Sequence, residues 1–213
     1  MDNYDCDEEF GKICDETLAL IPTYGVTDEA LLEACSRLHL EDSLYKFPRG
    51  IRDVLEHMYN ALICHISSEY NDKNREEIPR VRDKILWLLH QCVGFHAGLP
   101  ECRLLMKAVV AYCLVPKNTC FAGAMAFKIA DEIWHLAQDS STDFSYYTKR
   151  ITLSTVYIMS MLHMVEDTSD NYAATYDFMR RRVDNVVAFH KMKGRFQSLL
   201  SKSLGILNVR FDR

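Results

Sequence analysis

Seven breaks cut this chain, and nothing between them alternates as a strand does. Tyr24-Gly25, Phe47-Pro48-Arg49-Gly50, Asn71 to Asn74, Gly98-Leu99-Pro100, Val115-Pro116, Asp139 to Asp143 and Asp167 to Asp170 carry the Gly, Pro, Asn and Asp that end helices. Between them, apolar residues recur at helical spacing, and period-two runs bounded by turns are scarce. The pattern predicts an all-α fold of about ten helices.

Composition sets the outer bounds. A chain of 213 residues buries about 70% of its unfolded surface, enough for one domain or one domain with a small appended module. Hydrophobic content of 48% beside 26% charge reads as globular. The net charge of −5 argues against a nucleic-acid partner. Eight cysteines occur without a CxxC pair, at positions 6, 14, 35, 64, 92, 102, 113 and 120. Single cysteines in apolar contexts read as buried, reduced thiols. The acidic start, MDNYDCDEEF, is the opposite of a secretory or transit signal. No apolar run approaches ~20 residues, so no transmembrane helix is expected.

Three short segments, roughly Glu8 to Tyr24, Asp28 to Leu38 and Asp42 to Phe47, lead into a longer fourth helix from Arg49. That is the layout of a TetR-type helix-turn-helix module. Reading DNA needs donors for base edges and cations for phosphates. The candidate recognition segment, Leu40 to Phe47, opens with Glu41 and Asp42, and its one base is Lys46. Val26 to Gly50 holds five acids against three bases. Acids there repel phosphate, so the module has the shape without the charges.

The stretch DEIWHLAQDSSTDFSYYTKR, Asp131 to Arg150, joins two helices through a polar turn. Ser140, Ser141, Thr142 and Asp143 offer capping oxygens for the second helix. Tyr146 and Tyr147 then stand side by side. Helical neighbours point about 100° apart, so at least one ring is expected at a surface or seam. An antiparallel pair would bring Trp134 close to both. The competing reading puts one tyrosine, Tyr147 in preference, in the core with its hydroxyl satisfied.

Catalytic and metal motifs are thin. Glu132 and His135 form one Glu-x-x-His pair, whereas a di-iron bundle needs two pairs and two further carboxylates. The other seven histidines lack a Glu three residues before them. HExxH, Walker A, nucleophile-elbow and GxGxxG patterns are absent. No metal or cofactor is expected, and nothing nominates a catalytic acid or base.

The second half of the chain is rich in large, soft side chains at helical spacing, from Met106 to Leu162. Ordinary core explains them, and so does an irregular apolar cavity, which methionine tolerates. The tail is a separate feature. On a helical wheel Phe189, Phe196, Leu199, Leu200, Leu204, Ile206, Leu207 and Phe211 share one broad arc, flanked by Lys191, Arg195, Lys202 and Arg213. Lys191 to Arg213 has six bases and one acid; Met1 to Glu16 has seven acids and one base. Such a basic amphipathic helix can lie in a membrane interface through Phe196, Leu199, Leu200, Lys202, Leu207 and Phe211. It can equally pack on its own bundle or on a partner. Gly205 inside it costs about 1 kcal/mol of helix propensity.

The order W-H-x-x-x-D-x-S-T-D-F-x-aromatic-Y-T-[KR]-R, Trp134 to Arg150, resembles the ubiquinone-biosynthesis accessory family called coenzyme Q "nine". ALIPTYGVTDEALLEACSRL (Ala19 to Leu38) and the helices from Arg150 to Val187 are similar to the same family, and the likeness runs over roughly residues 13 to 210. Where that family often has Trp before Tyr, this chain has Tyr146. The resemblance implies a TetR-like all-helical fold that binds lipid and assists the di-iron demethoxyubiquinone hydroxylase. It implies an isoprenoid or quinone lipid among the later helices, with Met106, Val110, Phe121, Met125, Ile129, Val156 and Met159 as candidate lining. It also implies a hydroxylase-binding patch around Trp134, Asp143, Tyr146 and Tyr147.

The expectation is therefore an all-α, TetR-like protein. Residues 1–70 would form a degenerate helix-turn-helix module with a long connecting helix, residues 71–190 a lipid-binding helical domain, and residues 191–213 an amphipathic membrane-associating helix. A homodimer is expected, without catalysis or nucleic acid, in the cytoplasm and peripheral to the inner face of a bacterial membrane. A TetR-type ligand-sensing transcription regulator is the alternative, and a small metal enzyme a third reading.

Overall fold

Helix ends fall where side-chain oxygens or left-handed residues can close them. The computed structural model describes residues 8–70, 77–139 and 143–185. Helix α1 runs Glu8–Tyr24, and Gly25 turns the chain out of it. Thr27, in extended backbone, accepts from Ala30 N and opens α2, Asp28–Leu38, which His39 closes at φ 55°. Both helices keep the bounds that the sequence breaks predict.

The third segment differs. Glu41–Lys46 is a 3-10 turn instead of an α-helix. Six residues make too few α-type bonds to repay nucleation. Ser43 Oγ and Lys46 Nζ both donate to Glu9 Oε2 of α1, at 3.2 and 2.7 Å. The next helix, α3, runs Ile51–Glu69, and its first free N–H, on Ile51, donates to Asp28 Oδ1 at 2.8 Å. A Cβ on Gly50 would stand 2.2 Å from that oxygen, and Gly50 has φ 62°. Glycine is required there on both counts.

The chain continues through α4 (Val81–Ala97), α5 (Cys102–Leu114), a 3-10 turn (Pro116–Asn118) and α6 (Thr119–Leu136). Then come α7 (Asp143–Glu166), a 3-10 turn (Asp170–Tyr172) and α8, residues 173–185. One apolar core joins them. Leu55, Met58, Leu62 and Ile66 form an i, i+3, i+4 stripe on α3 and share a cluster with Ile13 and Ile21 of α1. Leu88 and Leu89 of α4, Met106 of α5 and Ile129 of α6 complete its centre. Full burial of each such side chain is worth about 1.5–3 kcal/mol.

The expectation of buried cysteines needs correction. Cys14, Cys35 and Cys92 are buried, Cys102 and Cys113 are half-buried, and Cys64 and Cys120 are exposed. Cys64 lies about 180° around α3 from the Leu55–Ile66 stripe, so its apolar sequence neighbours do not cover it. No single described helix is long and apolar enough to cross a membrane, and α5 and α6 meet at 92°.

Candidate functional site

Helices α6 and α7 form an antiparallel hairpin, and three contacts fix its register. Ser154 Oγ donates to Ala126 O at 3.2 Å, the Tyr146 hydroxyl to Asp131 Oδ1 at 3.0 Å, and Trp134 Nε1 to Lys149 O at 3.2 Å. Arg150 is the hub of this hairpin. It is 5% exposed, and its Nε pairs with Asp131. Its guanidinium carbon lies 3.3 Å from the Tyr146 ring centroid, and it donates to Tyr146 O at 3.3 Å. Asp139 adds a second anion, 3.6 Å from Arg150 and 2.6 Å from Lys149 Nζ. Lys149 in turn sits 5.1 Å over the Trp134 ring. The Asp131 carboxylate, as acceptor from the Tyr146 hydroxyl, raises the tyrosine's pKa.

This clamp sorts the aromatics. Trp134 is buried and lies beneath the surface. Tyr146 is half-buried and tied on three sides. Tyr147 is 60% exposed and meets Tyr146 edge-to-face, with centroids 5.1 Å apart. The competing reading, with Tyr147 in the core, is the reverse of this. Ile151, one turn further, is exposed too, and so are Ile158, Met159 and Leu162. Asp143 begins α7, and its side chain lies outside the described residues.

The far end of that face opens into a cleft of about 600 Å³, lined by Met159, Leu162, His163, Asp167 and Phe178 among others. His163 stacks on Phe178 at 4.7 Å and pairs through Nδ1 with Thr175 Oγ1 at 3.2 Å. The Arg182 guanidinium lies 4.8 Å from the centroid of the same Phe178 ring. Asp167 shapes the floor. It is buried and accepts from Ser169 N and Oγ and from Thr175 N and Oγ1. Burial alone would raise its pKa, but those four donors outweigh it and hold the carboxyl well below the usual range.

Of the residues expected to line a lipid cavity, Met159 borders this cleft. Met106, Met125, Ile129 and Val156 are packed in the core, and Val110 and Phe121 lean on it half-buried. Sequence reasoning does not single out Leu162, His163 or Phe178 as lining. Their signal is faint although the lining is close in sequence, on the end of α7, the start of α8 and the turn between them, because helical periodicity does not show that this corner stays open. Phe196, Leu199, Leu200, Lys202, Leu207 and Phe211 lie outside the described residues. Glu132 Oε1 accepts from Ser67 Oγ at 2.8 Å, and His135 is exposed. Among the described residues no group of three or more His, Cys, Asp or Glu could hold a metal.

Deeper in the bundle, His96 Nε2 meets the Tyr157 hydroxyl at 3.0 Å, and burial pushes the imidazole down to about 4. Its Nδ1 has no partner among the described residues. Tyr59 is buried close by in electrostatic reach of Tyr157, and bonds the Cys113 thiol. These polar groups sit inside apolar sequence, where periodicity gives no sign of them.

Residues 121–190, which hold the hairpin, the cleft and α8, match the family model described as COQ9. Over most of its length the chain is similar to the COQ9 proteins. It is 28% identical over 196 residues to the ubiquinone biosynthesis protein coq9, mitochondrial, of Schizosaccharomyces pombe, covering 90% of this chain and 76% of that one. The COQ9 proteins of Rattus norvegicus and Homo sapiens are 24% and 23% identical, each over 87% of this chain. The chain spans 61% and 60% of their lengths. In backbone, the chain is similar to a TetR transcriptional regulator from Nitrosomonas europaea, with a TM-score of 0.66 at 17% identity, over 84% of this chain and 97% of that one. The fold is therefore TetR-like and all-α.

Proposed function

We propose that the chain is a non-catalytic accessory protein of ubiquinone biosynthesis. It takes an isoprenoid or quinone lipid from a membrane and presents it to the di-iron demethoxyubiquinone hydroxylase. One observation carries this reading. The COQ9-matching segment, 121–190, holds both features such a task needs: an open, largely apolar cleft and an anchored aromatic surface toward the other end of the same helix.

The physics supports the division of labour. A polyprenyl chain in water costs ~25 cal/mol per Å² of exposed apolar surface, so it travels only inside an apolar slot. The cleft's volume of about 600 Å³ lies in the roughly 300–1,000 Å³ range of ligand sites. Met159, Leu162 and Phe178 supply apolar wall, and His163 and Thr168 supply polar atoms for a head group. Tyr147 and Ile151 offer exposed anchors on the same helix. Residues 191–213 would contact the membrane, and a homodimer would pair two such units. The named relatives are mitochondrial, and the membrane concerned is the one where ubiquinone is made.

The regulator reading draws on fold likeness alone. Its recognition position is a six-residue 3-10 turn, opened by Glu41 and Asp42, with Lys46 engaged by Glu9. Native mass spectrometry and hydroxylase capture test the proposal together. The expected result is an extractable isoprenoid adduct and a complex with the hydroxylase. A lipid-free protein that ignores the hydroxylase and shifts upstream DNA in a gel would overturn it.

A further inference from the structure

The corner between α5 and α6 is built to be stiff and then left greasy. Asn118, 1% exposed, donates through Nδ2 to Tyr112 O at 2.9 Å and accepts from Arg52 Nη2 at 2.9 Å. Arg52 also reaches Tyr112 Oη at 3.3 Å and Lys117 O at 3.4 Å. Thr119 Oγ1 closes the turn onto Pro116 O at 2.9 Å. A corner pinned this way does not swing inward to hide its side chains. Yet it presents Leu114, 62% exposed, and Val115, 41% exposed, at its tip.

Its charges are one-sided. From Cys102 to Ala130 the chain has Arg103, Lys107, Lys117 and Lys128 and no Asp or Glu, in a protein of net charge −5. All four cations are exposed. Lys128 pairs with Glu56 and Arg103 is bound to Asp167 O. Lys107 and Lys117 have no ion-pair partner among the described residues. On α5, Leu104, Lys107, Ala111 and Leu114 recur at i, i+3, i+7 and i+10, so they share the exposed face that runs to the tip.

We infer that this corner is a docking point for an anionic lipid surface, with Leu114 and Val115 entering the headgroup boundary and Lys107 and Lys117 meeting lipid phosphates. Aliphatic residues with cations and no anions match that surface chemistry. A soluble protein partner would more often be met by mixed charge around the apolar patch. The α5–α6 pair is long and apolar enough to reach across a membrane only when both helices are counted, and the 92° bend between them rules out a straight span. Surface docking is the arrangement that fits both facts. It is distinct from contact through residues 191–213, and it does not depend on which lipid the cleft holds.

The full chain carrying Val115→Trp tests it, read against the parent with Trp87 and Trp134. With vesicles containing phosphatidylglycerol, the added emission should shift to the blue and be quenched by brominated acyl chains. Leu114→Glu in that background should remove the quenching. Lys107→Glu with Lys117→Glu should weaken vesicle affinity by about fivefold per charge. All these sites are exposed, and a melting curve confirms that each variant folds. Co-sedimentation with unshifted, unquenched emission from the introduced tryptophan would overturn the inference. So would a blue shift without vesicles accompanied by a doubled mass, which would assign the corner to a second copy. Lipid loading and hydroxylase capture are separate readouts, so failure here leaves the proposed function standing.

Discussion

Tyr146 and Tyr147 are edge-to-face neighbours with opposite attachments: Tyr146 is held by Asp131 and Arg150, and Tyr147 is held by almost nothing. Anchoring the inner ring fixes where the outer ring stands. A pre-set aromatic loses little conformational freedom on binding, which suits an interface anchor.

Tyr147→Ala should therefore cost roughly 1–3 kcal/mol in hydroxylase binding and shift stability by less than about 0.5 kcal/mol. Tyr146→Ala should lose both binding and stability, because it strips the Asp131 and Arg150 contacts. Thermal melting and capture of the hydroxylase, run on each variant, separate the two. Capture by Tyr147→Ala as strong as by the parent would remove that ring from the site.

Arg150→Ala should destabilise the fold by about 2–3 kcal/mol, the usual loss for hydrogen bonds to a charged group. Arg150→Lys should recover only part of this, since an ammonium cannot stack on Tyr146 and reach Asp131 at once. Urea denaturation of both variants gives the comparison. Equal stability of the Ala variant and the parent would show that the clamp is incidental.

Much of the scaffold is legible in the sequence, and the reasons are local. The Tyr24-Gly25 break and the Thr27 cap mark α1 and α2 because they act within a few residues. The Glu41–Lys46 segment reads as a helix and is a 3-10 turn, since its apolar pattern does not reveal that six residues are too few. The tyrosine pair is legible as a seam, but not which ring faces out. That choice rests on Asp131, 15 positions away. The cleft is harder still. Its walls come from the end of α7, the start of α8 and the turn between them, and helical spacing does not show that this corner stays open, so Leu162 and Phe178 look like core.

The buried His96 gives a pH prediction. In an unfolded chain histidine titrates near 6.5, and in the fold it titrates at about 4. Between those values the unfolded state takes up a proton that the folded state refuses. Stability is full above about 6.5, falls as pH drops through the window, and the His96 loss levels off on the order of 3 kcal/mol lower. Asp167, held low by its donors, adds a further loss only below about 4. His96→Gln should flatten the slope between about pH 6.5 and 4 in chemical denaturation series. An unchanged slope would mean that His96 is not its source.

Cleft variants should dissociate lipid loading from folding. Met159→Asp with Leu162→Asp puts two charges into an apolar wall while replacing side chains that are more than a third exposed. The native mass adduct should vanish with little change in melting. Met106→Ala, in the packed core, should instead cost about 2–5 kcal/mol. If the core variant lost lipid at unchanged stability and the cleft variant kept it, the lipid would lie deeper than the cleft.

The side-chain bonds that tie α6 to α7 join residues 15 to 28 positions apart. Contacts of such short reach close quickly, because little loop entropy stands in their way. The aromatic surface thus belongs to a locally closed hairpin, whose pairing on refolding need not wait for the long-range packing of α1 against α5. An interface that matures early is ready for its client before the rest of the molecule has finished folding, and pulse-labelled amide exchange would see α6 and α7 protected first.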